Sequence, residues 1–282
     1  MILPAWTTRL WRRPTRAGFT GLLRRSGGRS KRCSRGPTAT RALPKQCPIA
    51  KPARRCSLSA RTGCPWRDLP AAYGPWHTIY MRWRRWVEAG VPERAAQAIL
   101  AARQRAGDFD PALALLDSTV VRAHQHAAGA RKKSGVAQPA LGRSRGGLST
   151  KIHLVALDER TALAMSLSAG QANDAPPGEQ LVAEVISPDA QIQALCADRA
   201  YDTDALRARL AAAPTPKQAV IPPRANRRVQ HAYDPERYRQ RNRVERLVGR
   251  LKQFRAVATR YDKLDGMFGG LVVLCLAGIA LR

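Results

Sequence analysis

Apolar side chains first recur with a clear helical period at residues 76–89, where Ile79, Trp83 and Trp86 fall at i, i+4 and i+7. Arg82, Arg84 and Arg85 take the other faces, so an amphipathic helix is expected there. A second helix is expected at about 91–105, after the break at Gly90-Val-Pro. Two short helices joined by a turn fit a helix-turn-helix DNA reader and a structural helical cap equally well. From Pro111 the pattern changes. ALALLDSTVVRAH (112–124) has the β-branched, apolar make-up of a buried strand, and a Gly/Ser/Arg loop (131–149) follows it. TKIHLVALD and TALAMSLSAG are expected to form a hairpin turning at Asp158-Glu-Arg160.

Beyond the hairpin, PPGEQLVAEVI (176–186) suits a helix with proline in its first turn. QALCADRAYD (193–202) reads as a short buried strand, followed by a helix over TDALRARLAAA with Thr203 as N-cap. KQAVIPPR (217–224) is a further strand, and Asp234 with Pro235 opens the next helix as N-cap and first helical residue. This order predicts an α/β domain built on a mixed sheet flanked by helices.

The helix that includes YRQRNRVERLVGRLK (238–252) sorts its side chains by face. At about 100° per residue, Val244, Leu247, Val248, Leu251, Phe254 and Ala258 form one apolar arc. Tyr238, Arg241, Glu245 and Lys252 fall roughly 60–120° from Val244, on one polar stripe beside that arc. Arg243, Arg246 and Arg250 fall at about 200–260°, towards solvent or a polyanion. Glu245 is the only acid in the stretch.

Two other carboxylates stand out. Asp117 follows the apolar run Ala112–Leu116, and Asp198 follows Ala194–Ala197. A lone charge at the end of a buried strand is costly unless something offsets it. Capping or a turn is one explanation for each; a shared hard cation is the other. Chemistry in open α/β sheets gathers at strand ends, which favours taking the two aspartates together with Glu245.

Charge then narrows the function class. A net charge of +29 and a sequence pI near 11.4 point to a polyanionic partner. Residues 1–67 hold 17 Lys/Arg and no acid, and residues 68–282 still carry +12. The acid-free start lacks amphipathic period and an apolar secretory region. It reads as a basic phosphate-tracking arm, a transit peptide, or an out-of-frame or mis-started translation, the last favoured by the abrupt change near Ser59. Met267–Leu281 is apolar but too short to span a bilayer, so a core helix is expected. Cys33, Cys47, Cys56 and Cys64 include no C-x2-C pair, which gives zinc little support. His124, His126 and His153 lack a third ligand and read as ordinary polar residues.

Tyr238, Arg241, Glu245 and Lys252 match Y-x2-R-x3-E-x6-K without a gap, and the chain here resembles bacterial insertion-sequence transposases of the DDE class, the family-five and family-four group. LLDSTVVRAH is similar to that group's first-Asp strand, ADRAYD to its second-Asp motif, and GRSRGGLSTKIH and SAGQANDAP to its linker and following strand. The RTG-PWRDLP-YGPW theme at 61–86 resembles its N-terminal helical region. The resemblance covers residues 61–282 and implies an RNase H-like catalytic core. It also implies Asp117, Asp198 and Glu245 as catalytic metal ligands for Mg2+, with Mn2+ substituting. DNA contacts would come from Tyr238, Arg241, Lys252, Arg143, Arg145, Lys151 and Arg199.

The implied activity is metal-dependent DNA end cleavage and strand transfer on terminal inverted repeats and target DNA, by a homodimer in the bacterial cytoplasm at the nucleoid. The expected organisation is a basic segment at 1–60, a helical region at 61–106 and a catalytic domain at 110–282. A DNA- or RNA-binding protein without chemistry and a frameshifted, inactive remnant are the alternatives.

Overall fold

A computed structural model of the chain describes residues 50–128, 140–186 and 191–282. Its axis is β1 (Leu113–Ala123), whose LALL start is almost fully buried, as a strand covered on both faces must be. β1 pairs antiparallel with β3 (Gly147–Ala156), and β3 pairs antiparallel with β4 (Ala162–Ala169). On its other edge β1 runs parallel to β5 (Ala194–Ala197), and β5 runs parallel to β6 (Gln218–Val220). The order β4-β3-β1-β5-β6, with only β3 reversed, is the RNase H-like arrangement of a mixed sheet.

Helices cover this sheet. α4 (Ala175–Val185) and α5 (Asp204–Ala211) follow β4 and β5. Thr203 caps α5 by accepting from the Leu206 amide at 3.2 Å. Three helices precede the sheet: α1 (Ala50–Thr62), α2 (Trp76–Glu88) and α3 (Val91–Ala106). Trp83 of α2 and Leu100 of α3 belong to the same hydrophobic core as the strands. α2 and α3 both pack on the C-terminal helix α9 (Asp265–Ala280), as a structural cap does. α9 is buried on nearly every side, and Gly270 lets α2 approach it, since a Cβ there would lie 2.7 Å from Val87. Among the described residues no helix is long and apolar enough to cross a membrane.

Several elements differ from the pattern along the chain. α1 begins inside the stretch expected to be unstructured. Among its described side chains the buried ones, Cys56, Ser59 and Ala60, are too small to leave a strong periodic signal. Residues 1–49 lie outside the described residues, as do Arg131, Lys132 and Lys133. The end of the expected 131–149 loop is instead a hairpin, with β2 (Gly142–Ser144) turning through Arg145-Gly146 into β3. Gly147, at φ 94°, supplies the left-handed conformation this turn needs. β5 and β6 are shorter than expected, because a 3-10 turn at Arg199–Tyr201 ends one and prolines follow the other.

The long helix expected from Asp234 is three pieces: α6 (Pro235–Arg239), α7 (Asn242–Lys252) and α8 (Arg255–Ala258). Its N-cap holds, with Asp234 accepting from the Arg237 amide at 3.1 Å. Between α6 and α7 the bonds tighten to the 3-10 spacing, Arg241 to Tyr238 and Arg243 to Gln240. The apolar arc of Val244, Leu247 and Leu251 is buried as predicted. After α7 ends the rotation resets, so Val257 rather than Ala258 enters the core. The short strand β7 (Thr259–Arg260) then pairs with the end of β1.

Candidate active site

Strand register creates the site. β5 ends at Ala197, paired with Leu116, so the next residue on each strand, Asp117 and Asp198, stands at the carboxyl end of β5. β1 continues alone on that edge until β7 joins it at Arg122 and Ala123. Among the described residues, Asp117–Val121 therefore has no strand neighbour on that side. α7 packs across β1 at this gap and carries Glu245 on its first turn.

Arg241 ties these acids together. Its guanidinium lies 3.4 Å from Asp117 Oδ1 and donates to Glu245 Oε1 at 2.5 Å. The Asp117 side chain is only 15% exposed, and burial pushes its carboxyl up to about 6. Arg241 and the Ser118 amide counter that rise; the nearby negative charges of Asp198 and Glu245 add to it. Asp117 thus feels the charge of both other acids. Asp198 Oδ1 accepts from the Ala200 amide at 2.9 Å, which caps the following 3-10 turn and fixes the carboxylate's position. Glu245 is half exposed, open to an incoming ligand.

The basic residues expected at DNA divide into two sets. Arg143, Arg145, Arg199 and Lys252 are exposed. Tyr238 is half-buried, its ring edge-on to Tyr233 at 5.6 Å. Two residues depart from the expectation of free phosphate contacts. Arg241 is turned inward onto the acids. Lys151 is buried on β3, pairs with Asp174 Oδ1 at 2.8 Å and donates to the Ala172 carbonyl at 2.7 Å. A committed, desolvated ammonium of this kind is not available to a phosphate. Arg250 also departs from the outward set, donating to the Glu159 carbonyl at 3.2 Å.

Sequence reasoning assigned no role to Asp174, which also accepts from Ser118 Oγ at 2.9 Å, beside Asp117. Its place in SAGQANDAP was the available signal. Asp202, the last residue of ADRAYD, is structural. It is fully buried, takes Arg207 at 2.7 Å and accepts from the Arg224 amide at 2.9 Å. Burial opposes its ionisation, yet that amide and the Arg207 and Arg227 guanidiniums hold it below the usual carboxylate range.

The histidines lie elsewhere. His124 follows β1 and stacks on Tyr261 at 4.7 Å, with His126 edge-on to it in a 3-10 turn. His153 is buried on β3 against Ser168 Oγ at 2.8 Å, and burial lowers its pKa to about 4.

The transposase DDE domain family matches residues 108–278, and the family of IS4/5 transposases (DUF4096) matches residues 55–96. "Uncharacterized protein y4sN" of Sinorhizobium fredii is 44% identical over 80 residues, covering 28% of this chain and 59% of that protein. "Insertion element IS402 uncharacterized 16.2 kDa protein" of Burkholderia cepacia is 38% identical over 81 residues, covering 28% of this chain and 52% of its own. The chain thus spans between 52% and 59% of these curated relatives' lengths. Among solved structures, a piggyBac transposase synaptic complex with hairpin DNA aligns at a TM-score of 0.39 and 14% identity, over 60% of this chain and 47% of that one. A Mos1 transposase paired-end complex aligns at 0.27 and 11%, over 89% and 82%. The first family match alone runs over more than half the residues and takes in Asp117, Asp198 and Glu245, so the chain belongs to the transposase DDE domain family.

Proposed function

We propose that the protein is a DNA transposase that cuts the ends of a mobile element and transfers them to target DNA. Asp117, Asp198 and Glu245 are the carboxylates of its reacting centre. The observations that support this reading are the strand register that ends β5 beside Asp117 and the Arg241 guanidinium that joins Asp117 to Glu245 of α7.

The donor set fits a hard divalent cation in its chemistry: Asp117 and Glu245 share the Arg241 guanidinium, Asp198 follows the strand paired with β1, and added positive charge would offset the negative charges acting on Asp117. As they stand, no three His, Cys, Asp or Glu side chains among the described residues are grouped to hold a metal ion. Closing the set therefore requires Arg241 to leave the space between Asp117 and Glu245. Mg2+, with Mn2+ as substitute, would supply Lewis acidity at phosphoryl oxygens and a more acidic water.

The chain's own residues do the rest. Arg241, once released, and Lys252 pair with phosphates flanking the scissile bond, and Tyr238 packs against the end of the element. Arg143, Arg145 and Arg199 extend the cationic surface. Phosphoryl transfer in line needs no covalent protein–DNA intermediate, so no Ser or Tyr nucleophile is assigned. The two ends of an element call for two such centres, hence two copies of the chain on the DNA, at the bacterial nucleoid.

The test is nicking of a labelled duplex carrying the element's terminal repeats, in Mg2+ or Mn2+ with an EDTA control. Metal-dependent nicking at the element end is expected. Binding without nicking in either metal would leave a DNA-binding protein with no chemistry. For Lys252→Ala, fluorescence anisotropy across a salt series should show the slope of log affinity against log salt reduced by about 1, with sequence preference unchanged. An unchanged slope would remove Lys252 from the phosphate contacts.

A further inference from the structure

Three rings that serve neither the carboxylates nor the core meet where β1 ends. β7 pairs with β1 at Arg122 and Ala123, and one step further the His124 amide donates to the Arg260 carbonyl at 2.9 Å. That pairing brings the side chains of His124 and Tyr261 together: their rings stack with centroids 4.7 Å apart and 23° between planes. His126 stands edge-on to His124 at 4.5 Å. The His126 amide donates to His124 Nδ1 at 3.2 Å, which fixes the orientation of that imidazole.

Neither Tyr261 nor His124 belongs to the hydrophobic core, and Tyr261 remains 49% exposed with His124 against its ring. Its backbone is nonetheless held firmly. The preceding residue, Arg260, is fully buried and donates to the Asp262 carbonyl at 2.9 Å, the Ala140 carbonyl at 3.0 Å and Thr150 Oγ1 at 2.8 Å. An exposed aromatic on a fixed backbone loses little conformational freedom when a flat ligand covers it.

The flanking charge selects the ligand. Arg122, two residues before His124, and Lys263, two after Tyr261, are both exposed. A Cβ at Gly146 would lie 4.0 Å from the Arg122 guanidinium, so Arg122 reaches the β2–β3 turn that carries Arg145. Of the acids on this segment, Asp265 pairs with Arg260 at 2.6 Å and Asp262 is half-buried. Aromatic rings flanked by cations suit single-stranded nucleic acid, whose bases stack while its phosphates pair. The stack also lies along β1 from Asp117, on the edge that β5 leaves open. At about 3.3 Å per residue it is roughly 23 Å away, the length of about seven nucleotide steps.

We propose that Tyr261 and His124 form a stacking site for an unpaired nucleobase of a DNA strand that runs from the carboxylate centre along the open edge of β1. The course of that strand rests on the transposase reading given above. Tyr261 supplies the exposed aromatic surface, His124 backs it, and Arg122 and Lys263 meet the adjoining phosphates.

Fluorescence anisotropy of the full-length protein in EDTA tests this, with a labelled single-stranded DNA of mixed sequence and the blunt duplex of the same sequence. Tyr261→Ala should bind the single strand on the order of tenfold more weakly and the duplex within about twofold of the parent. Its salt slope should not change, because no charge is removed. Tyr261→Phe should bind like the parent. Tyr261→Leu, which keeps the bulk but not the aromatic ring, should lose as much as Ala, and it carries the comparison if the alanine protein melts early. A parent that does not bind the single strand, parent-like binding by Tyr261→Leu, equal losses on single strand and duplex, or a Phe protein no better than Leu overturns the proposal. Stronger competition by RNA of the same sequence overturns the assignment to DNA. Cleavage plays no part in these readings, so the two proposals fail separately. A parent that nicks DNA while Tyr261→Leu binds normally loses the stacking site and keeps the carboxylate centre. A parent that never nicks but shows the expected losses keeps the stacking site and loses the centre.

Discussion

Asp198→Asn and Glu245→Gln should each lower metal-dependent end cleavage by on the order of 10³-fold or more, with DNA affinity held within about twofold. Both changes keep shape and remove charge. Asn can still accept from the Ala200 amide through its Oδ1, so the turn after β5 survives. Glu245 is half exposed, and its pair with Arg241 is an i,i+4 contact worth roughly 0.3–0.5 kcal/mol, so Gln leaves the fold intact. What each variant loses is a hard anionic ligand at the point where β1, β5 and α7 meet. Single-turnover cleavage with matched binding curves is the measurement. Product within tenfold of the parent in either variant would take that residue out of the reacting centre.

Asp117→Asn should do something less usual: abolish cleavage and stabilise the metal-free protein. Burial holds the Asp117 carboxyl at about 6 in the folded chain, against 3.8 for an unperturbed aspartate. The folded state therefore binds this proton more tightly than the unfolded state. Its contribution to stability is greatest below about pH 4 and is lost as pH rises through about 6. Above that range the parent carries a net cost of about 3 kcal/mol, with the attraction to Arg241 already included, which a neutral amide avoids. Denaturant unfolding in EDTA should show the variant more stable at pH 8 and the two proteins converging near pH 4. His153 has the opposite sign, since its lowered pKa adds stability as pH rises between about 4 and 6.5, but it is common to both proteins and cancels in the difference. Added Mg2+ should narrow the gap at pH 8 by stabilising only the parent. A variant less stable than the parent at pH 8 would show that Asp117 is not held against its own burial.

That cost explains why Asp117 drew attention in the sequence at all. A carboxylate directly after four buried apolar residues breaks the strand's own rule, and such breaks mark functional positions. Glu245 was legible for a similar reason, as the lone acid on a helix face otherwise sorted into apolar and basic sides. Lys151 shows the limit of this reasoning. The family resemblance implied it as a DNA contact, but its partner, Asp174, comes from the loop after β4. Nothing in the local pattern distinguishes an ammonium that is paired from one that is free.

The sequence by itself determined the order of strands and helices, the caps at Thr203 and Asp234, the buried arc of α7 and the three acids. All of these follow from side-chain periodicity and from hydrogen bonds that reach only a few residues along the chain. Only the tertiary structure decided that Leu116 pairs with Ala197, so that Asp117 and Asp198 emerge side by side. It alone turned Arg241 inward and buried Lys151. Strand register and charge pairing join residues tens to more than a hundred positions apart, and their energies depend on what burial removes from water.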